Sequence, residues 1–118
     1  MRSAQLLGQY GEEVAVRHLR QAGIAVLERN WRGPSGEIDI VARDGGELVI
    51  CEVKTRSGQY FGPPTAAVTP AKIERLRALA TEWLAARALS VTAVRFDVVS
   101  VVRSADGQLS VEHLRAVV

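Results

Sequence analysis

The stretch GEIDIVARDGGELVICEVKTR, residues 36–56, decides the fold. Strand alternation divides its first half into Glu37, Asp39 and Val41 on one face and Ile38, Ile40 and Ala42 on the other. The second half divides into Leu48, Ile50, Glu52, Lys54 and Arg56 against Val49, Cys51, Val53 and Thr55. Gly45-Gly46 between them is a favoured two-residue hairpin connection. It pairs Asp44 with Glu47 and, counting outward, Asp39 with Glu52 and Glu37 with Lys54. Two carboxylates are therefore expected opposite each other on an otherwise apolar face. Like charges there are destabilising, and burying either unpaired is costly. Lys54 offers one counter-charge and a divalent cation another. An ordinary salt-bridge ladder at a solvated strand end fits the spacing as well.

Outward from this hairpin, residues 3–22 read as a helix ended by Gly23. Its expected packed face carries Leu7, Gly11, Val14, Ala15, His18 and Ala22, with Glu12 at the rim and Glu13 in solvent. Gly8 and Gly11, costly in a helix, signal close approach to whatever lies beneath. Residues 24–32 read as a strand that enters a Gly-Pro-Ser turn. Residues 57–68 are rich in Gly and Pro and read as a loop. Thr69 is an N-cap with Pro70 behind it, opening a helix to about Leu89. Ile73, Leu76, Leu79, Ala80 and Trp83 form its buried face. Residues 92–102 are another strand, and QLSVEHLRAV near the end is a short edge strand. Strands 48–53 and 98–102 are apolar at both parities, so both sheet faces are expected to be covered. The order α-β-β-β-α-β-β predicts a mixed central β-sheet with flanking helices.

At 118 residues, 47% apolar and 24% charged, the chain is expected to be a single domain, residues 1–118, with a core that needs no disulfide. Cys51 is the only cysteine, so no intramolecular disulfide forms. The N-terminus lacks the apolar region of a signal peptide, and no apolar run approaches the ~18 residues of a membrane span. A cytoplasmic protein with no membrane partner is expected. The net charge of +2 is compatible with a nucleic-acid partner without demanding one.

Asp39 and Glu52 supply the oxygen ligands that Mg²⁺ or Mn²⁺ prefers, and a lysine such as Lys54 can bond the attacking water and steady phosphate charge. Zinc is not expected, since His18 and His113 lack ligand spacing and there is one cysteine. Arg56 reads as a phosphate contact or a strand-end charge. Tyr60 and Phe61, on the Gly/Pro loop, either stack on bases or pack back on the domain. Lys72 and Arg75 flank the start of the second helix, where anions are favoured. His18 reads as a satisfied core histidine, Trp83 as core, Asp97 as an arginine partner and Cys51 as buried and inert.

Residues 36–56 resemble the core of PD-(D/E)xK nucleases, with Asp39 as the motif aspartate and Glu52-Val53-Lys54 as the (D/E)xK part. Ile38 stands where the motif name has proline. The whole chain resembles the YraN-like family of bacterial proteins through GQYGEEVAVRHL, ERNWRGPSGEIDIV, CEVKTRSGQYFG, the Lys72 region and RFDVV. That resemblance implies a restriction-endonuclease-like three-layer α/β fold, similar to archaeal Holliday-junction resolvases. It further implies that Asp39, Glu52 and the Val53 carbonyl bind the metal, that Lys54 orients or activates water, and that Glu12 approaches the metal from the first helix. A metal-dependent endonuclease acting on structured or branched DNA is the expectation. A nucleic-acid-binding protein that keeps the nuclease fold without cutting is the alternative. A protein-interaction module has no positive feature to support it. A homodimer would let so small a nuclease reach two strands.

Overall fold

Gly45 has φ of +61°, the left-handed conformation that a tight hairpin needs. Around it, strands β2 (Gly36–Asp44) and β3 (Glu47–Ser57) pair antiparallel with Asp44 opposite Glu47, the expected register. In a computed structural model describing residues 3–58 and 68–118, with side chains from residue 6, this hairpin is the centre of the molecule. Tyr60 and Phe61 lie outside the described residues.

The remaining elements are helix α1 (Ser3–Gln21), strand β1 (Ala25–Gly33), helix α2 (Pro70–Arg87), strand β4 (Ala93–Arg103) and strand β5 (Leu109–Leu114). One five-stranded sheet runs β1-β2-β3-β4-β5, antiparallel throughout except for the parallel β3–β4 pair. Parallel neighbours need a crossover, and α2 supplies it. The two helices cover opposite faces. Ala15, Val16 and Leu19 of α1 pack on Ile40, Ala42, Val49, Cys51, Val99 and Val101. Leu76, Leu79, Ala80 and Trp83 of α2 pack on Val41, Leu48, Ile50 and Phe96. The expected three-layer α/β architecture and element order are both present.

Local chemistry sets the element ends. Gly23 at φ +81° closes α1: its N–H reaches Arg20 O, and Ile24 N–H reaches Leu19 O, a Schellman cap. Thr69 Oγ1 accepts the Lys72 N–H at 3.2 Å, with Pro70 in the first turn of α2. Pro34-Ser35 turns between Gly33 and Gly36, docked on α2 through Ser35 N–H to Glu82 at 3.1 Å.

Three local expectations need correction. The packed face of α1 is rotated from the one expected: Ala22 is exposed, while Val16 and Leu19 are buried. Of its glycines only Gly11 makes a close approach; a Cβ there would fall 1.9 Å from Thr55 Oγ1, whereas a Cβ at Gly8 would meet nothing. Alternation also fails in β2. Ile38 joins Val41 in the α2-side core although Ile40 lies on the α1 side. The break coincides with Asn30, which lies between the Arg29–Ile40 and Trp31–Ile38 pairs of the β1–β2 register and has φ of +53°. Asparagine is among the few non-glycine residues that tolerate that conformation.

Candidate functional site at the fork of the central hairpin

The β2–β3 ladder ends at Ile40–Cys51. The expected pairs Asp39–Glu52 and Glu37–Lys54 do not form, because the strands diverge beyond that point. Glu37 instead bonds Arg32 of β1 at 3.1 Å. The Asp39 carboxylate takes over where the backbone ladder stops, its Oδ2 accepting the Val53 N–H at 2.9 Å. The fork opens on a cleft of about 1040 Å³, lined among others by Gln9, Glu12, Asn30, Glu37, Asp39 and Lys54.

Asp39 is half-buried, and burial raises its carboxyl from the usual 3.8 to about 6. The charges of Glu52, Glu12 and Glu37 push the same way, against the Val53 N–H bond. Negative potential thus converges on one carboxylate from three sides. Lys54 is lowered by burial and next by the neighbouring Lys72 charge, while Glu52 and Asp39 act in the opposite direction.

Glu12 lies at the rim position expected of it, with its side chain 15% exposed against 55% for Glu13. Its Oε1 accepts from Asn30 Nδ2 at 2.8 Å and from Arg29 Nη2 at 3.2 Å and Nε at 3.3 Å. Glu52 leans the other way, toward α2, where its Oε1 lies 2.7 Å from Lys72 Nζ. Asp39 therefore faces the cleft together with Lys54, while Glu52 turns to α2. Lys72, read as a phosphate contact, is held in an ion pair. Arg75 is exposed, with its side chain beside Gly36, and Arg56 is half-buried one step beyond Lys54 on the same face of β3. Val53 is partly buried against the α1-side core.

Among the described residues no three His, Cys, Asp or Glu side chains stand close enough to cage a metal ion. The donors are nonetheless of the kind Mg²⁺ uses, since that ion commonly takes one or two carboxylates and fills its shell with water and phosphate oxygens. A half-buried carboxylate repelled by the charges of Glu52, Glu12 and Glu37 is of the kind such a cation relieves.

Three residues that strand alternation passes over shape this site. Arg29 and Asn30 hold Glu12, and Lys72 holds Glu52. Asn30 carried a signal, because asparagine is depleted in strands. The Lys72–Glu52 contact had none, since 20 positions separate the two in sequence.

A second polar cluster lies elsewhere in the fold. Asp97, fully buried, accepts from Arg95 at 3.0 Å and from the Ala116 N–H at 3.0 Å, and its Oδ2 bonds His113 Nε2 at 2.8 Å. His113 Nδ1 in turn lies 3.3 Å from His18 Nε2. Burial alone would raise the Asp97 carboxyl, but its bonds to His113, Arg95 and Ala116 hold it below the usual range. The expected arginine partner is present, whereas His18 is half-buried at the edge of the core, its ring facing His113. Cys51 is buried, which pushes its thiol up and leaves it unreactive.

No described helix is long and apolar enough to cross a membrane. Residues 11–101 match the model of the uncharacterised protein family UPF0102. A UPF0102 protein of Frankia alni is 54% identical over 115 residues, covering 98% of this chain and 96% of that protein. Another from Beutenbergia cavernae is 54% identical over 117 residues and 99% of both chains. One from Streptomyces coelicolor is 53% identical over 119 residues, covering 99% of this chain and 92% of its own. The chain belongs to the UPF0102 family, the YraN-like proteins that its motifs resemble.

Proposed function

We propose that the chain is a metal-dependent endonuclease that hydrolyses phosphodiester bonds in structured or branched DNA, using Mg²⁺ or Mn²⁺ held by Asp39 and Glu52. The observation that carries the reading is the Asp39 carboxylate, half-buried at the hairpin fork and raised to about 6 amid the charges of Glu52, Glu12 and Glu37. A group so placed is relieved by a cation more than by a proton at neutral pH. The PD-(D/E)xK resemblance of residues 36–56 and the three-layer architecture support the same reading. A divalent cation supplies charge that stabilises the attacking and leaving oxygens.

The chain's own residues do the rest. Asp39 is oriented by the Val53 N–H. Lys54, next to Glu52 on the strand and facing the cleft, orients the attacking water and steadies phosphate charge. Glu12, fixed by Arg29 and Asn30 through one oxygen, keeps its other oxygen for a water or cation in the cleft. The Val53 carbonyl is the remaining candidate ligand.

Cleavage of a panel of DNA and RNA structures with Mg²⁺ and with Mn²⁺ tests the reading. Wild type is expected to cut a branched DNA, and Lys54→Ala to lose roughly a hundredfold or more, the scale of a lost general acid–base or charge-stabilising group. Binding without cutting is the second reading, favoured by the ion pair that occupies Glu52. Retained DNA binding with no cleavage under either metal would establish it.

A further inference from the structure

The Lys72–Glu52 pair is unusual in its placement. Both side chains are mostly withdrawn from solvent, 16% and 17% exposed, at 2.7 Å. Lys72 stands in the first turn of α2, its own N–H capped by Thr69, and no acidic residue accompanies it in that turn. A cation at the positive end of a helix is disfavoured, and Lys54 adds a second positive charge close by. Glu52 is thus the group that holds Lys72 in place. Lys72 in turn takes up the carboxylate that the proposed metal site requires.

We infer that Lys72 is a tethered counter-ion of Glu52 that is displaced when a divalent cation binds there. Displacement frees the ammonium at the N-terminus of α2, beside Lys54, where a phosphate of the substrate can take it up. Lys72 is a positioning residue in this scheme. The inference rests on the metal reading above and says what that reading leaves open: how Glu52 changes partner.

The experiment measures Mn²⁺ binding by calorimetry in the absence of nucleic acid, for wild type, Lys72→Met, Lys72→Arg and Asp39→Asn. Lys72→Met is expected to bind about tenfold tighter than wild type, a change of about 1.4 kcal/mol. Lys72→Arg keeps the charge and is expected to stay near wild type. Equal or weaker affinity in a folded Lys72→Met overturns the counter-ion while leaving the metal site intact. No binding in any of the proteins, or binding unaffected by Asp39→Asn, overturns the metal reading and this inference with it.

A second measurement needs no variant. Lys54 and Lys72 are the only lysines in the chain, so amine acetylation can be assigned to each by peptide mass. Saturating Mg²⁺ is expected to raise Lys72 labelling several-fold as the ion pair opens. Unchanged labelling of Lys72 in metal-bound protein overturns displacement.

Discussion

At the scale of single residues, Asp39 has the clearest thermodynamic consequence. Its folded carboxyl, at about 6, lies above the usual 3.8. The native state therefore holds a proton more tightly than the unfolded chain. The stability this contributes is full below pH 3.8 and is lost as pH rises through about 6. Two pK units correspond to about 3 kcal/mol. Asp39→Asn cannot ionise and can still accept the Val53 N–H. It is expected to match wild type near pH 4 and to exceed it above pH 7 by up to about 3 kcal/mol without metal. Urea unfolding across pH 4–8 measures this. A variant less stable than wild type at pH 7.5 would mean the Asp39 charge is stabilised by its surroundings, against the crowding described above. Asp97 has the opposite sign. Its folded carboxyl is depressed, so its contribution is present at neutral pH and is lost as pH falls below the ordinary carboxylate range through the depressed folded value. Asp97→Ala removes the acceptor of Arg95 Nε and Nη2, of His113 Nε2 and of the Ala116 N–H, leaving Arg95 only Asp44 and Glu47, and a loss of about 3–5 kcal/mol is expected. Thermal unfolding at pH 7 checks it, and a loss below about 1 kcal/mol, the scale of an exposed pair, would show the cluster to be dispensable.

At the scale of elements, α1 approaches β3 closely where Gly11 faces Thr55. That close approach brings Glu12, the next residue, to the cleft. Two glycines in one helix should therefore respond to alanine in opposite ways. Gly8→Ala meets nothing within 4 Å and is expected to stabilise by about 0.5–1 kcal/mol through helix propensity. Gly11→Ala gains the same propensity but drives a methyl into Thr55, and overpacking of this kind costs about 1–3 kcal/mol. A net loss is expected at Gly11, relieved in part by adding Thr55→Ala. Melting temperatures of the four proteins decide the matter. If Gly11→Ala stabilises as Gly8→Ala does, α1 sits further from the sheet than described, and Glu12 with it.

At the scale of the whole molecule, the site is where three layers meet. Glu12 comes from α1, Asp39 and Glu52 from the diverging central strands, and Lys72 from α2. A ligand that bridges such parts stabilises the folded state alone, by RT ln(1 + [L]/Kd), or about 2.7 kcal/mol at a hundredfold excess over Kd. Millimolar Mg²⁺ or Mn²⁺ is expected to raise the melting temperature of wild type and to leave that of Asp39→Asn unchanged. Calorimetry on both proteins checks this, and an identical response in the two would move the cation away from the fork.

The residues that local chemistry governs were legible without a structure. Gly45-Gly46 dictates a hairpin whose closing pair is Asp44–Glu47. Thr69-Pro70 starts α2, and Gly23 stops α1. The apolar residues at both parities of β3 and β4 announced a sheet covered on two faces. Membership of the UPF0102 family was readable from ordered motifs along most of the chain. Each of these depends on a few adjacent residues, on turn geometry or on period-two alternation, and needs no knowledge of what packs above. The end of the β2–β3 ladder is different. Alternation carried Asp39 to Glu52, but the strands part after Ile40–Cys51 and the Asp39 side chain takes the Val53 N–H instead. Alternation assumes an unbroken ladder, and β2 departs from it between Ile38 and Ile40, where β1 holds the left-handed Asn30 between their partners Trp31 and Arg29. The partners of the acidic residues were equally hidden. Arg29 and Asn30 reach Glu12 from another element, and Lys72 reaches Glu52 across the β3–α2 crossover. Only the folded chain could decide those contacts, because a long charged side chain takes whichever opposite charge the tertiary packing leaves within its reach.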